Sequence, residues 1–482
     1  MAASKEYLTS VSEVDTGSML KKFTMSTVIK WKKHWLLLMC GLFLALVTFY
    51  LSSEMVINKK FNINPVETMS TDHSHYAIWP NFEKNSAVDS DFFKSTCAKN
   101  VNFSITGLVD IKKQWAKSKN SNCQALFDKF TSMFTIDARK ASLSLPSLFK
   151  KKVKGWLANN EQLYQEVFDQ DVIHVISEFT HEHTVFNPLR DKRPVSPPKE
   201  PENSYFSTLL KESSDNCDFC NYKDYTAEHT FGRVESKHSF SASNIFKIDT
   251  LHAILALKKH DPLHWKLEEF LDLFQLVNTW IGKANKNYPN ARYPGVAWDV
   301  LPKCGASQVH PHLHVVLDLQ RYPGTWVVET WRRGAQEFYE VHNSNYFSDL
   351  VAVYSALNLT VTYGTAVAFA SLVPRKDHEI VVMSERASSD FYILLYFVLR
   401  GLIDDVHKMC FSMGIALPAV NVAQGKLPAY ARVITRGYVT DIRADISSLE
   451  MFLATNVNID PYKTVEIVRN SMKARIHEVS EI

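Results

Sequence analysis

Residues 304–316, Cys-Gly-Ala-Ser-Gln-Val-His-Pro-His-Leu-His-Val-Val, constrain the fold more than any other stretch. His310, His312 and His314 alternate through it. On a strand, successive side chains point to opposite faces, so the three imidazoles share one face. Pro311 and Leu313 then face packing, and Val315, Val316 and Leu317 continue an apolar strand. Gly305, Ala306 and Ser307 precede the histidines as a run of small residues whose backbone amides can approach a phosphate. Imidazoles so arranged suit a metal site, since neutral histidine is a common zinc ligand. They equally suit a nucleophile that carries a phosphoryl or nucleotidyl group. A histidine-rich strand without chemistry is the bland alternative.

The pattern His-x-His-x-His followed by two apolar residues resembles the histidine-triad superfamily of nucleotide hydrolases and transferases. Gly305 to Gln308 and His310-Pro311-His312 are more similar to the branch of galactose-1-phosphate uridylyltransferase and the nucleotide-sugar phosphorylases. The resemblance implies an α+β fold with duplicated halves, each an antiparallel sheet with helices. It also implies a nucleotide-sugar or nucleoside-diphosphate substrate, a structural zinc and a dimer.

The chain has 482 residues, 46% hydrophobic and 22% charged, a globular balance. A formal net charge of +3 gives no argument for nucleic-acid binding. Residues 1–33 are polar, with lysines at 5, 21, 22, 30, 32 and 33. Trp35 to Leu51 then runs without a charged residue, about 25 Å if helical. The lysines before it predict a single-pass type II protein with a cytosolic tail (1–33), an anchor (34–53) and a stem (54–90). The catalytic body would then lie in the lumen of the Golgi or endoplasmic reticulum. A cleaved signal peptide is the competing reading of that segment. The sequons at Asn102 and Asn358 agree with a luminal body. Cys97 and Cys123 can pair in such a compartment.

Residues 91–180 carry helical patterning, as in 111–117 and 156–168, and read as a helical extension. Thr184 to Pro198 is similar to the opening segment of the uridylyltransferase branch, where arginines lie near the nucleotide; Arg190 and Arg193 are the candidates. A proline-rich surface loop is the alternative.

Cys217 and Cys220 form a Cys-x-x-Cys, ambiguous by itself between zinc, redox chemistry and chance. Leu251 to His260 reads as an apolar strand ending in Lys-Lys-His, and residues 262–285 as the following helix. In the resembled branch a zinc is held by a Cys-x-x-Cys, the histidine closing this strand and the first triad histidine. Those positions are Cys217, Cys220, His260 and His310. Two thiolates and two imidazoles have the composition of a closed structural site. A disulfide between Cys217 and Cys220 is the alternative.

The resemblance further places Asn244 and Asp299 at ribose-binding positions, although the superfamily usually has asparagine at the second. It places Ser307, with Gly305, Ala306 and Gln308, on the phosphate, and His312 as nucleophile. At position 314 the uridylyltransferases carry glutamine and the hydrolytic proteins histidine, so His314 leaves the acceptor open among phosphate, water and a phosphorylated group.

Strands over 353–375, 378–383 and 431–440 and a long helix over 389–413 echo the order of the first half. Residues 181–330 therefore read as the catalytic half and 331–482 as a second, degenerate half without a triad. Arg432 and Arg436 there can meet phosphates or face solvent. The function expected is a luminal nucleotidyltransferase or phosphorylase acting through nucleotidyl-His312, with modification of glycans as a related outcome. The alternative is a catalytically silent, zinc-stabilised nucleotide- or glycoprotein-binding protein of the secretory pathway.

Overall fold

The computed structural model describes residues 79–192, 200–422, 426–441 and 446–481. All of them fall within one compact unit. Thirteen strands appear in chain order. The first group is β1 (Phe134–Ser142), β2 (Asp169–Ser177), β3 (His183–Phe186), β4 (Ser239–Ser243), β5 (His252–Leu257), β6 (Tyr293–Asp299) and β7 (His312–Asp318). The second is β8 (Thr360–Tyr363), β9 (Ala366–Ala370), β10 (Ile380–Ser384), β11 (Phe411–Ala416), β12 (Ala429–Thr435) and β13 (Thr455–Val457).

A nine-stranded sheet of order β4-β5-β7-β6-β11-β12-β10-β9-β8 holds the molecule together. Its two ends repeat one plan. β4, β5, the helix Leu267–Asn287, β6 and β7 give one half; β9, β10, the helix Ser389–Arg400, β11 and β12 give the other. The halves meet where β6 pairs antiparallel with β11. The expected α+β duplication is thus present.

The two faces of this sheet differ. Leu255, Leu257, Val296, Trp298, Leu313, Val315, Met413, Ile415, Ala431 and Val433 join one large core. The helices Leu267–Asn287 and Ser389–Arg400 seal it, with Phe274 and Tyr392 stacked at 4.7 Å. The second helix is buried all round, because the helix Pro461–Arg475 covers its outer side. The opposite face carries the histidines, beside a small apolar cluster of Phe240, Ala242, Ile254 and Ala256. Directly paired residues on neighbouring strands point the same way. One row therefore runs Ile254, His314, Ala297, Gly414, Arg432, Val381 across six strands.

That row relates the halves. His314 pairs with Ala297, and Arg432 pairs with Gly414, across the seam between β6 and β11. Arg432 thus holds in the second half the place His314 holds in the first. It does not face solvent or a phosphate, as the sequence allowed. Its guanidinium donates to Glu182 and Glu379, both at 2.6 Å, and lies 5.1 Å above the Trp331 ring. Burial pushes the Glu379 carboxyl up, against the pull of Arg432. Glu182 is held below its ordinary range, because Arg432 and Arg375 together outweigh its burial. Removing one member of a buried charge cluster leaves the others uncompensated. Arg432→Leu should therefore lower stability by about 3–5 kcal/mol. Chemical unfolding checks this, and an unchanged midpoint would mean the cluster is hydrated.

Several expectations are corrected. The 91–180 extension is not wholly helical, since β1 and β2 pair antiparallel within it and β3 and β13 complete a four-stranded sheet. Within 353–375, residues up to Ala356 belong to the helix Tyr346–Ala356. The helix expected over 389–413 ends early, and Met413 lies on β11. Among the described residues no helix is long and apolar enough to cross a membrane. That finding gives the expected type II arrangement with a luminal body no support, and the expected tail (1–33), anchor (34–53) and stem to residue 78 lie outside the described residues. Cys97 and Cys123 are joined, a pairing the sequence left open, and Cys304–Cys410 is a second disulfide that the sequence reading missed. Asn102 is exposed, whereas the side-chain oxygen of Asn358 accepts from Arg469 at 2.9 Å.

Candidate functional site

The site is built on β5 and β7, with the loop 217–220 folded over them. His310 lies two residues before β7, and its Nε2–H donates to the Leu257 carbonyl at 2.6 Å. That fixes the proton on Nε2 and leaves the Nδ1 lone pair free to bind. His260 repeats the arrangement. Its Nε2 sits 3.0 Å from the Ser213 hydroxyl, which itself donates to Leu210, so the imidazole donates. The two Nδ1 atoms are 3.3 Å apart. Cys220 Sγ lies 3.4 Å from one and 3.6 Å from the other, and Cys217 Sγ lies 3.5 Å from His310 Nδ1. All four ligand atoms lie within 4.8 Å of one another.

These separations suit a tetrahedron. Zinc bonds of about 2.0–2.3 Å give edges of roughly 3.3–3.8 Å. Burial, then the neighbouring Cys217 thiol, pushes the Cys220 thiol up to about 11. A divalent cation between the thiols reverses that penalty. Cys217, Cys220, His260 and His310 can therefore hold a zinc ion, with every position taken by protein. Cys217 and Cys220 are free thiols, so the disulfide alternative is not what the structure contains.

His312 is buried on the same face, 4% exposed. Its Nδ1–H donates to the His310 carbonyl at 2.7 Å, which leaves Nε2 with the lone pair. Burial holds the imidazole neutral, down to about 4. Phe219, from the turn between the two cysteines, packs edge-on against both His310 and His312, with centroids at 5.6 and 5.3 Å. The candidate metal loop and His312 thus share an aromatic wall.

His314 has a partner the sequence reading passed over. His252, on β5, places its Nε2 3.0 Å from His314 Nδ1. The Ile248 N–H donates to His252 Nδ1 at 3.2 Å, so the His252 proton resides on Nε2 and points to His314. His314 in turn keeps its own proton on Nε2 as a donor. Burial, then His314 itself, holds His252 neutral, down to about 4. Asn244 lies beside this pair: its Oδ1 accepts from the Phe246 N–H, and its Nδ2, 3.3 Å from His252 Nε2, faces another donor and makes no hydrogen bond there. The signal available in the sequence was position: His252 opens the strand that leads to His260.

The loop before His310 is tied to the other half. Cys304 is bonded to Cys410 just before β11. Arg436 donates to the Cys304 carbonyl at 3.1 Å and to Ser412 Oγ at 2.9 Å. Ser412 donates to Asp299 at 2.6 Å. Gly305 has φ +112°, and an added Cβ would lie 3.6 Å from Asp299 Oδ2, so this position favours glycine on conformational grounds. Ser307 is exposed, Gln308 half-buried and Ala306 buried. Asp299 therefore sits under the loop and beside the histidine rows, bonded to Ser412. Arg190 lies on the turn Pro188–Lys192, whose Pro188, Leu189 and Lys192 border a cavity of about 460 Å³ lined also by Phe186, Asp460 and Lys463. Arg193 lies outside the described residues.

No family model matches this chain, and no curated protein matches it. Among solved structures it is similar to an ADP-glucose phosphorylase from Arabidopsis thaliana with bound ADP-glucose, at 13% identity and TM-score 0.47, covering 61% of this chain and 98% of that one. A uridylyltransferase is similar at 14% identity and TM-score 0.44, covering 63% and 99%. Yeast Ap4A phosphorylase in complex with AMP is similar at 11% identity and TM-score 0.25, covering 68% and 93%. Each of these TM-scores is below 0.5, so only the chain's own residues bear on its chemistry.

Proposed function

We propose that this protein is a nucleotidyl-transferring enzyme. It cleaves a nucleotide-sugar or similar nucleoside-diphosphate conjugate and carries the nucleotide on His312. One observation carries the reading: a buried, neutral His312 whose Nδ1–H is fixed on the His310 carbonyl and whose Nε2 is left as a nucleophile. In the first step Nε2 attacks the α-phosphorus, and the bond to the bridging oxygen breaks. The leaving phosphate takes the electron pair and departs as an anion, so it needs no proton. The Nδ1–H bond to the carbonyl supports the positive charge that develops on the ring. Phosphate, a phosphorylated acceptor or water then attacks the same phosphorus and frees His312. Negative charge on the phosphate oxygens is met by the amides of Gly305 to Gln308, the Ser307 hydroxyl and the His314 Nε2–H. Asn244 flanks the ribose side of this scheme, and Arg190 and Arg193 are assigned no step.

Zinc held by Cys217, Cys220, His260 and His310 would supply structure, locking the 217–220 loop to the strand bearing His312. All ligand positions being protein atoms, none is left for substrate.

The test is a quenched reaction of the purified full-length chain with a panel of nucleotide-sugars and nucleoside-diphosphate conjugates. Mass spectrometry should find a nucleotidyl adduct on His312. With metal content confirmed, no adduct and no turnover across the panel would instead leave a silent nucleotide-binding protein.

His252 offers a further check. His252→Phe removes the donor that fixes the His314 tautomer. The expected loss is about 10²-fold in kcat with a smaller change in KM. An unchanged kcat would remove His314 from the scheme.

A further inference from the structure

Ala297 and Gly414 lie at the seam of the sheet, on its two central strands, yet both are exposed on the histidine face. The surrounding rows are not bare. Gly295, one pleat away on β6, lies against Pro323, where an added Cβ would come within 2.5 Å. Packing accounts for that glycine. It does not account for Gly414, where an added Cβ would meet nothing within 4 Å. Backbone conformation does not account for it either, since Gly414 is absent from the positive-φ positions of the chain. Glycine in a strand interior weakens the strand and often marks close approach of a ligand.

The walls of this bare floor are chemically distinct. His314 borders it on the β7 side. Arg432, clamped by Glu182 and Glu379 under Trp331, borders it on the β12 side. One pleat along, Asp299, Ser412 and Arg436 form a bonded chain of acceptor, hydroxyl and cation. Strands about 4.8 Å apart place Gly414 roughly 10 Å from His314 along the row. The floor is thus wide enough for a group of hexose size attached to a phosphate.

We infer that the phosphorylated, hydroxyl-rich group on the far side of the scissile bond lies over Ala297 and Gly414, and that Gly414 sets the size of group admitted. This rests on the nucleotidyl-transfer reading above. Asp299 and Ser412 meet hydroxyls of that group, and Arg436 lies where its phosphate departs. The group is the sugar phosphate in the first step and the acceptor in the second, so one floor serves both directions.

The experiment compares leaving groups in the full-length protein. One substrate is the nucleoside diphosphate-hexose that forms the His312 adduct. The other is the same nucleotide as its 5′-phosphorofluoridate, whose leaving group is fluoride. Gly414→Phe should lower kcat/KM for the hexose conjugate by at least about 30-fold more than for the fluoridate. Gly414→Ala should shift the same ratio in the same direction by less. The thermal midpoint of the alanine variant should match wild type, because its methyl meets nothing. Equal losses on both substrates, or no loss on either, would overturn the subsite. Turnover of the fluoridate but of no hexose conjugate by the wild type would overturn the subsite and leave the His312 chemistry standing. Turnover of neither would overturn the nucleotidyl-transfer reading itself.

Discussion

His312→Ala should abolish the nucleotidyl adduct and lower kcat on the order of 10⁴- to 10⁶-fold, the scale seen when a nucleophile is removed. The size of the effect follows from the geometry. His312 is the buried member of the row whose Nδ1 is committed to a carbonyl, so its Nε2 has no competing task. His310 points its free nitrogen at the two cysteines, and His314 accepts a hydrogen bond from His252. Neither can substitute. His312→Gly with added imidazole offers the complementary arm: a free imidazole in the vacated space should restore part of the turnover, and the adduct should then form on no protein residue. A His312→Ala variant that keeps wild-type turnover would end the mechanism, whereas one that keeps only nucleotide affinity would agree with it.

Removing the metal is the second large effect. The candidate ligands come from separate parts of the chain: the 217–220 turn, the end of β5 and the approach to β7. A cation bound a thousandfold more tightly than its free concentration adds about 4 kcal/mol to the folded state. Chelation or Cys217→Ser should therefore lower Tm by about 5 °C or more. It should also slow turnover, because Phe219 leaves His312 when the turn opens. Native mass spectrometry should find one zinc per chain in the wild type and none in Cys217→Ser. A wild-type protein that binds no zinc yet keeps its Tm would show that the four residues pack without a cation.

Much of this site was readable from local pattern. The period-two histidines put the imidazoles on one face, and the helix read over 262–285, which runs over Leu267–Asn287, was visible in the three-to-four spacing of Phe270, Leu273, Phe274 and Val277. The Cys-x-x-Cys became meaningful only alongside His260 and His310. What escaped is non-local. Cys304 and Cys410 lie 106 residues apart, and Asp299 meets Ser412 across the seam between halves. No spacing rule links such positions. Arg432 was left open between phosphate and solvent because Glu182 and Glu379, its partners, come from distant segments. The β1–β2 ladder was missed because most of β1 is solvent-exposed on both sides and gives no alternation. In the helix Tyr346–Ala356, Val351, Val353 and Tyr354 favour strands, but all three are buried by packing that propensity does not see.

The join between β6 and β11 also bears on how this protein can be taken apart. A chain cut after the first repeat would leave β6 as a bare edge, with a full row of backbone donors and acceptors open to another copy. It would also lose Cys410, the covalent tether of the loop before His310, and Arg436, which holds that loop from above. The repeat that carries no histidine triad is thus the scaffold against which the other is sprung, and the two form one indivisible working part.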